Sequence, residues 1–464
     1  MEKIGVLVVS YGARETAMVD AYSRSPNYKT EIYVVDKQKN PFNLKKAVEH
    51  TVIPDLNVRD ICRFAAKRRE KIDFCMVGPE KPIINGIRDA FEKETGIPTI
   101  CPTKRFAIEA SKVAQRRLFE ETVPSVNPRF RVFNPKDYKG TDDVKKALYM
   151  WLDELCNRVV VKPDVPAAGK GVGVWGDHFA TREQLFDHFM ANYQHGQVIV
   201  EEKMEGEESS FQAFCDGKHL MILPETRDYK RAFDNDEGPN TGGMGSYKDR
   251  GNRLPFMTHE DKERETVIVE KIFNTMKKRG SGCELRGVPF YVAFIHTAEG
   301  PRILENNSRP GDPEIINLLP LLKEDFVDVC FKMVEGNLTK VTFEEKASVV
   351  TYKVPPSYGE YMGKFPDKVI RENIDSPVRL AKAQELGDNI RVYPASMEIR
   401  EGQTYALSSR AVAIVGIADT IQDAREVSMK GTIAVEGGAL WNRNDVASFD
   451  HIQKSIEHMA RLRR

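Results

Sequence analysis

Over the first hundred residues, short apolar runs alternate with amphipathic stretches. Residues 4–9, 32–35, 73–77 and 97–100 read as strands, and residues 15–25, 58–70 and 82–94 carry helical spacing. This alternation predicts a βαβ series on a mainly parallel sheet, which binds ligands at the C-terminal ends of its strands. Those ends carry Ser10-Tyr11-Gly12-Ala13-Arg14 and Gly78-Pro79-Glu80, turn residues at the start of a following helix that suit a phosphate or a carboxylate. The first loop is not a dinucleotide fingerprint, because Ser10 and Glu15 stand where G-x-G-x-x-G needs glycine. On pattern alone an ordinary strand-to-helix turn explains it equally well.

The pattern then changes. A long helix is expected over 104–121, followed by a proline-containing connection at 123–128. Strands at 159–162, 171–175, 198–202, 209–215 and 219–223 with short turns form an antiparallel series, interrupted by a helix at 181–193. A Gly/Asn/Asp-rich loop at 225–246 precedes a helix near 260–279, strands at 290–296 and 302–306, and a helix from about Pro313. Strands at 348–353, 390–394 and 411–416 and a helix near 420–434 predict a small α+β domain from about residue 347. The fold class is therefore α/β and α+β.

Composition narrows the function. With 464 residues the chain has length for about three domains. Lys+Arg and Asp+Glu are both 69, so no overall charge favours nucleic acid or a membrane surface as partner, and neither is expected. No apolar run approaches the ~20 residues of a membrane span. The N-terminus lacks a secretory signal, and seven scattered cysteines without a Cys-x-x-Cys pair fit a reducing cytoplasm better than a disulfide framework or a structural zinc site.

Four segments carry candidate chemistry. Lys162-Pro163-Asp164 followed by Gly169-Lys170-Gly171 puts two lysines around a flexible glycine turn; its spacing is not that of a Walker A loop, and a glycine hairpin with a solvated lysine is the alternative. Glu201-Glu202-Lys203-Met204, with Glu208 beyond, could present backbone to a base edge and a carboxylate to ribose while its own side chains stay largely free; taken alone, a solvated charged turn is the better reading. Glu305 and Asn307 share one face of a strand end, so a carboxylate and an amide can hold Mg²⁺ while phosphates and water complete its shell. Arg309, Gly311, Asp312 and Glu314 follow in a turn. Asp228, Lys230 and Arg231 with Gly238-Pro239-Asn240-Thr241-Gly242-Gly243-Met244-Gly245 join cations to a glycine-rich loop too long for mere punctuation.

Together these segments, with Gly12-Ala13-Arg14-Glu15 and Val77-Gly78-Pro79-Glu80, resemble the phosphoribosylamine–glycine ligase family, ATP-grasp enzymes of purine biosynthesis. The Gly238–245 string is the most specific. Ser10, Thr16, Tyr229, Asn306 and Pro310 depart from the family pattern. The resemblance implies an N-terminal substrate domain (1–103), an ATP-grasp core (104–346, lid lobe about 125–203) and a C-terminal domain (347–464). It implies ATP and Mg²⁺ or Mn²⁺, and glycine and 5-phosphoribosylamine as small-molecule substrates of a monomer. In that reading Lys112, Lys162, Lys170, Gly169 and Gly171 face nucleotide phosphates. Glu201, Glu202, Lys203 and Met204 face adenine, Glu208 faces ribose, and Glu305 and Asn307 hold the metal.

Arg14, Gly78, Pro79, Glu80, Lys230 and Arg231 would meet the sugar phosphate. Arg309 and Asp312 would stand at the glycine end with Lys170 as catalytic groups, and Asp228, Asn240 to Gly245, Gly311 and Glu314 would line the substrates. Implied is a glycyl phosphate intermediate, captured by the amine. Other carboxylate–amine ligases, a nucleotide-binding regulator that does not turn over, and, more weakly, a nicotinamide oxidoreductase are the rival readings.

Overall fold

A computed structural model describes residues 1–165, 171–364, 374 and 376–464. The first sheet has the order Glu49–Val52, Tyr28–Asp36, Glu2–Ser10, Phe74–Val77, Thr99–Ile100, and all its pairings are parallel. Val6 to Val9 are wholly buried because helices cover both faces of the sheet, which is why the strand is a continuous apolar run. The chain reverses direction of travel at the central strand, where Val9 lies beside Val77, so the two loops singled out from sequence share one crevice. Glu15 fills that crevice floor: its carboxylate accepts from the backbone of Tyr11 (3.1 Å) and Gly12 (2.8 Å), and a side chain at position 78 would collide with it.

Two expected helices break. Residues 82–94 divide into Glu80–Ile84 and Ile87–Thr95, because Gly86 takes a left-handed conformation (φ 82°) that ends one helix and opens the next. The stretch 104–121 becomes two 3-10 turns and then the helix Lys112–Thr122. Ser111 caps that helix by accepting from Ala114 N, while Asp164 accepts from Ser111 Oγ and Val113 N.

The strands read as one antiparallel series belong to two sheets. Phe130–Phe133, Val198–Glu202, Val159–Pro163 and Gly173–Val174 form one, backed by Thr141–Glu154 and Arg182–Tyr193 through Leu148, Trp151, Leu185 and Phe189. Leu220–Ile222, Glu207–Asp216, Arg286–Thr297 and Gly300–Asn307 form the other, covered on one face by Lys112–Thr122 and His259–Arg279 and on the opposite face by Phe326–Glu335. The expected loop 225–246 contains short strands, and two strands from this region, Arg227–Asp228 and Gly245–Lys248, join Ala347–Lys353, Val412–Ala418 and Ile390–Pro394 in a further sheet. A glycine is needed at 416 because the helix Ile421–Ala434 lies directly on it. No helix among the described residues is long and apolar enough to cross a membrane.

Beneath the second antiparallel sheet, His296 is fully buried, with Nε2 3.0 Å from Glu265 Oε1 and 2.9 Å from Ser209 Oγ. Burial opposes its protonation, but Asp261 and Glu265 outweigh this and raise it to about 9. The folded value lies above the unfolded ~6.5, so the associated stability is fully present below about pH 6.5 and is lost as pH rises through 9. Denaturant titrations should show stability falling by the order of 3 kcal/mol across that window, and His296→Gln should flatten the dependence. A wild-type profile as flat as the variant's would show the imidazole to be neutral.

Candidate functional site

Glu305 and Asn307 end the strand Gly300–Asn307, and Asn307 Nδ2 donates to Glu305 Oε1 at 3.2 Å. The pairing with Arg286–Thr297 skips Leu304, a bulge that re-aims the strand end and frees the Leu304 carbonyl to accept from Arg116 at 2.6 Å. Burial works against ionisation of Glu305. The ammonium groups of Lys230, Lys112 and Lys162, from three separate elements, nevertheless hold it below the ordinary carboxylate value. Lys112 itself is lowered by burial, with Glu305 acting against the shift, and its Nζ donates to Val165 O at 2.8 Å.

Gly169 and Lys170 lie outside the described residues. Gly171 is described; its φ of 82° disfavours any side chain, and its carbonyl lies 2.9 Å from His188 Nε2.

The expectation that Glu201 keeps a free side chain is corrected. Glu201 is buried and bound twice by Arg116, at 2.5 and 3.0 Å, and by Lys162 at 2.7 Å. Burial alone would raise this carboxyl, but the two cations pull it down to about 2. Strand alternation turns Glu201 inward onto the helix that carries Arg116, the reason its side chain cannot face solvent. Glu202 is engaged as well, accepting from Arg129 N at 2.9 Å and Arg302 Nη2 at 2.5 Å, and the amides of Glu202 and Lys203 donate to Arg129 O and Arg158 O. Met204 closes the segment, and Glu208 pairs with Lys230 at 2.7 Å.

Arg14 is buried, donating to Glu15 at 2.6 Å and to Pro310 O at 2.9 Å, so the first sheet's loop grips the turn after Glu305 and Asn307. Arg309 lies 3.6 Å from Glu80 and 3.0 Å from Glu109, and Pro79 precedes Glu80 as the N-cap of its helix. Burial opposes ionisation of Glu80, yet Arg309 and Arg14 hold it low; Glu109, more deeply buried, is raised despite Arg309. Gly311 N donates to Gln212 Oε1 at 2.9 Å. Asp312, expected as a catalytic carboxylate, accepts from Tyr352 OH at 2.6 Å, on the strand Ala347–Lys353, and pairs with Arg410 at 3.1 Å, just before the strand Val412–Ala418; both contacts anchor the turn. Glu314 accepts from Ser210 (3.0 Å) and Tyr291 (2.7 Å).

The glycine-rich stretch folds back on residues 229–231: Thr241 N donates to Lys230 O at 2.7 Å and Met244 N to Tyr229 O at 2.7 Å. Gly242 packs against Arg410 and Tyr358, and Gly243 lies directly against Asp228. Met244 and Gly245, expected to meet substrate, are both buried. Met244 is fully buried in the core with Val350 and Tyr352, and Gly245 pairs with Thr351. Tyr229 also turns away, its hydroxyl accepting from Ala447 N at 2.9 Å. The Asp228 carboxyl is raised well above its ordinary value by burial and by Glu314, against Lys230 and Arg410, and its Oδ1 meets no donor among the described residues.

Sequence reasoning missed Arg116, Glu109 and Arg410. Arg116 was within reach, since it falls one helical turn after Lys112 on the same face. Arg410 donates to the carbonyls of Gly242 (2.6 Å) and Asp312 (2.9 Å), and nothing local marks it.

Among the described residues no three His, Cys, Asp or Glu side chains gather as a metal cage. A carboxylate touching one amide and kept low by lysine charge fits a divalent cation that arrives with phosphates and takes most of its ligands from them.

Family models described as the N domain and the ATP-grasp (A) domain of phosphoribosylglycinamide synthetase match residues 4–109 and 96–315. The chain is 38% identical over 461 residues to phosphoribosylamine–glycine ligase of Methanocella arvoryzae, covering 99% of each. It is 35% identical over 465 residues to that of Methanobrevibacter smithii, covering 98% of this chain and 99% of the relative. Among solved structures, phosphoribosylamine–glycine ligase from Thermotoga maritima superposes with a TM-score of 0.73 at 22% identity over 95% of this chain and 100% of the other. An ADP complex of N5-carboxyaminoimidazole ribonucleotide synthetase gives 0.61 at 14% identity, over 93% and 96%. These two superpositions establish a shared fold.

Proposed function

The chain belongs to the phosphoribosylglycinamide synthetase family, and on that premise we propose how its own residues carry the reaction. The reaction is the ADP-forming ligation of glycine to 5-phosphoribosylamine, a carbon–nitrogen ligation of purine biosynthesis. A carboxylate does not acylate an amine unaided, since hydroxide would have to leave. The glycine carboxylate attacks the γ-phosphorus of ATP and ADP departs. The amine nitrogen then attacks the acyl carbon of glycyl phosphate, phosphate departs, and the nitrogen loses a proton. In such a path the protein positions reactants and stabilises charge, and needs no nucleophile of its own.

The observation that carries this reading is the Glu305–Asn307 contact at 3.2 Å, with a carboxyl that Lys230, Lys112 and Lys162 hold low against burial. The lysines neutralise transferring phosphate, and Glu305 with Asn307 would hold Mg²⁺ or Mn²⁺. That cation supplies Lewis acidity at phosphoryl oxygens. Lys162 is kept pointing inward by Glu201, and Glu208 with Lys230 divides nucleotide ribose from acceptor. Adenine is assigned to the backbone and side chain near Met204, the stretch left once Glu201 and Glu202 are engaged. For glycine, Asp228 Oδ1, which meets no donor among the described residues, suits the ammonium, whose positive charge favours ionisation of that buried carboxyl, and Arg309 suits the carboxylate, with Asp312 and Arg410 fixing the turn between them. The phosphate of the acceptor is assigned to the loops at Gly78 and Arg14 with Lys230 and Arg231. The reading extends to a monomer acting in the cytoplasm.

With purified protein and ATP, amide formation should require both glycine and 5-phosphoribosylamine. Amide from another carboxylate or amine, with none from this pair, would assign the cleft to a different ligase.

A further inference from the structure

The lobe built on the sheet of Phe130–Phe133, Val198–Glu202, Val159–Pro163 and Gly173–Val174, the small lobe, touches Arg231 at a point the ligation steps leave unused. Asp177 stands in the turn after Gly173–Val174, where Gly176 bends the chain at φ 87°; Gly176 N donates to Phe179 O at 2.9 Å and Asp177 N to Val174 O at 3.2 Å. Asp177 Oδ2 lies 3.2 Å from Arg231 Nη2, and Oδ1 lies 3.5 Å from Lys203 Nζ, which itself donates to Trp175 O at 2.8 Å.

Arg231 is braced from behind. Its Nη1 donates to Gly238 O at 2.8 Å, and its carbonyl accepts at 3.1 Å from Arg443, a fully buried guanidinium held by Asp236 and Asp445. Both halves of the contact therefore sit on hydrogen-bonded pieces, so the contact joins two braced segments rather than two loose side chains. Nothing in the chemistry of phosphoryl transfer calls for a carboxylate at that place.

We propose that Asp177 is a latch: it holds the small lobe closed on glycyl phosphate until the phosphate of the acceptor takes over the Arg231 guanidinium. This rests on the assignment of Arg231 to that phosphate. The Asp177 carboxylate and an incoming phosphate repel each other across the one guanidinium they share, so acceptor binding and latch closure oppose each other, and the coupling is reciprocal. Before the acceptor arrives, closure excludes water; if the lobe opens early, water attacks the acyl carbon and returns glycine and phosphate. ADP then accumulates without amide. The contact is partly exposed, so its effect is a few-fold and falls with salt.

The test is acceptor-free ADP release with ATP and glycine. Asp177→Asn should raise it roughly threefold to fivefold and lower KM for 5-phosphoribosylamine by a similar factor, while Asp177→Glu stays near wild type. High salt should raise release by the wild type towards that of Asp177→Asn and leave Asp177→Asn unchanged. Equal acceptor-free release by wild type and Asp177→Asn, or an equal response of both to salt, overturns the latch while amide synthesis by the wild type leaves the ligase reading intact. A wild type that makes no amide overturns both.

Discussion

Glu305→Ala is expected to remain folded and to lose amide synthesis by roughly 10³-fold or more, about 4 kcal/mol of transition-state stabilisation, the scale on which one preorganised charge-stabilising group acts. The fold should survive because Glu305 ends its strand, and because two of the lysines it faces keep other carboxylates: Lys162 has Glu201 and Lys230 has Glu208. What disappears is a carboxylate whose charge is supported by all three ammonium groups. Steady-state rates at saturating ATP and varied Mg²⁺, with circular dichroism for the fold, check both halves. Near-normal turnover would move the cation elsewhere.

Glu201→Ala should act in the opposite order, on stability first. Removing this carboxylate leaves the buried Arg116 guanidinium with Leu304 O and Asn127, and leaves Lys162 without its ion-pair partner. Breaking a buried pair in this way costs about 3–5 kcal/mol. The denaturant midpoint should shift accordingly, and KM for ATP should rise because Lys162 then loses the ion pair at 2.7 Å that fixes its ammonium. The carboxyl is held at about 2, below its unfolded value, so its contribution is present above about pH 4.5 and fades only as pH falls towards 2. A loss below about 1 kcal/mol at pH 7 would mean the pair is solvated and behaves like a surface one.

The two residues differ in how far their sequence announces them. Glu305 and Asn307 are two apart in a strand, and a period of two suffices to put them on one face. Glu201 is equally a strand residue, but periodicity assigns it a face and not a partner. Its partner lies 85 residues away on a helix whose start depends on a serine cap and on Asp164. Met244 shows the same limit from the other side. It sits in the string most specific to the family, yet the sheet built on 347–353 takes it into the core.

The chain's own order of residues determined the parallel first sheet, the loops at its C-terminal edge, the Glu305/Asn307 pair and the glycine-rich stretch, because each depends on spacing within a few residues. Only the tertiary structure decided that Arg116 and Lys162 claim Glu201, that Arg410 grips a turn 98 residues away, and that Asp177 reaches Arg231 across the cleft. The reason is physical. A long charged side chain takes whatever opposite charge packing brings within reach, and no local periodicity encodes which element that is.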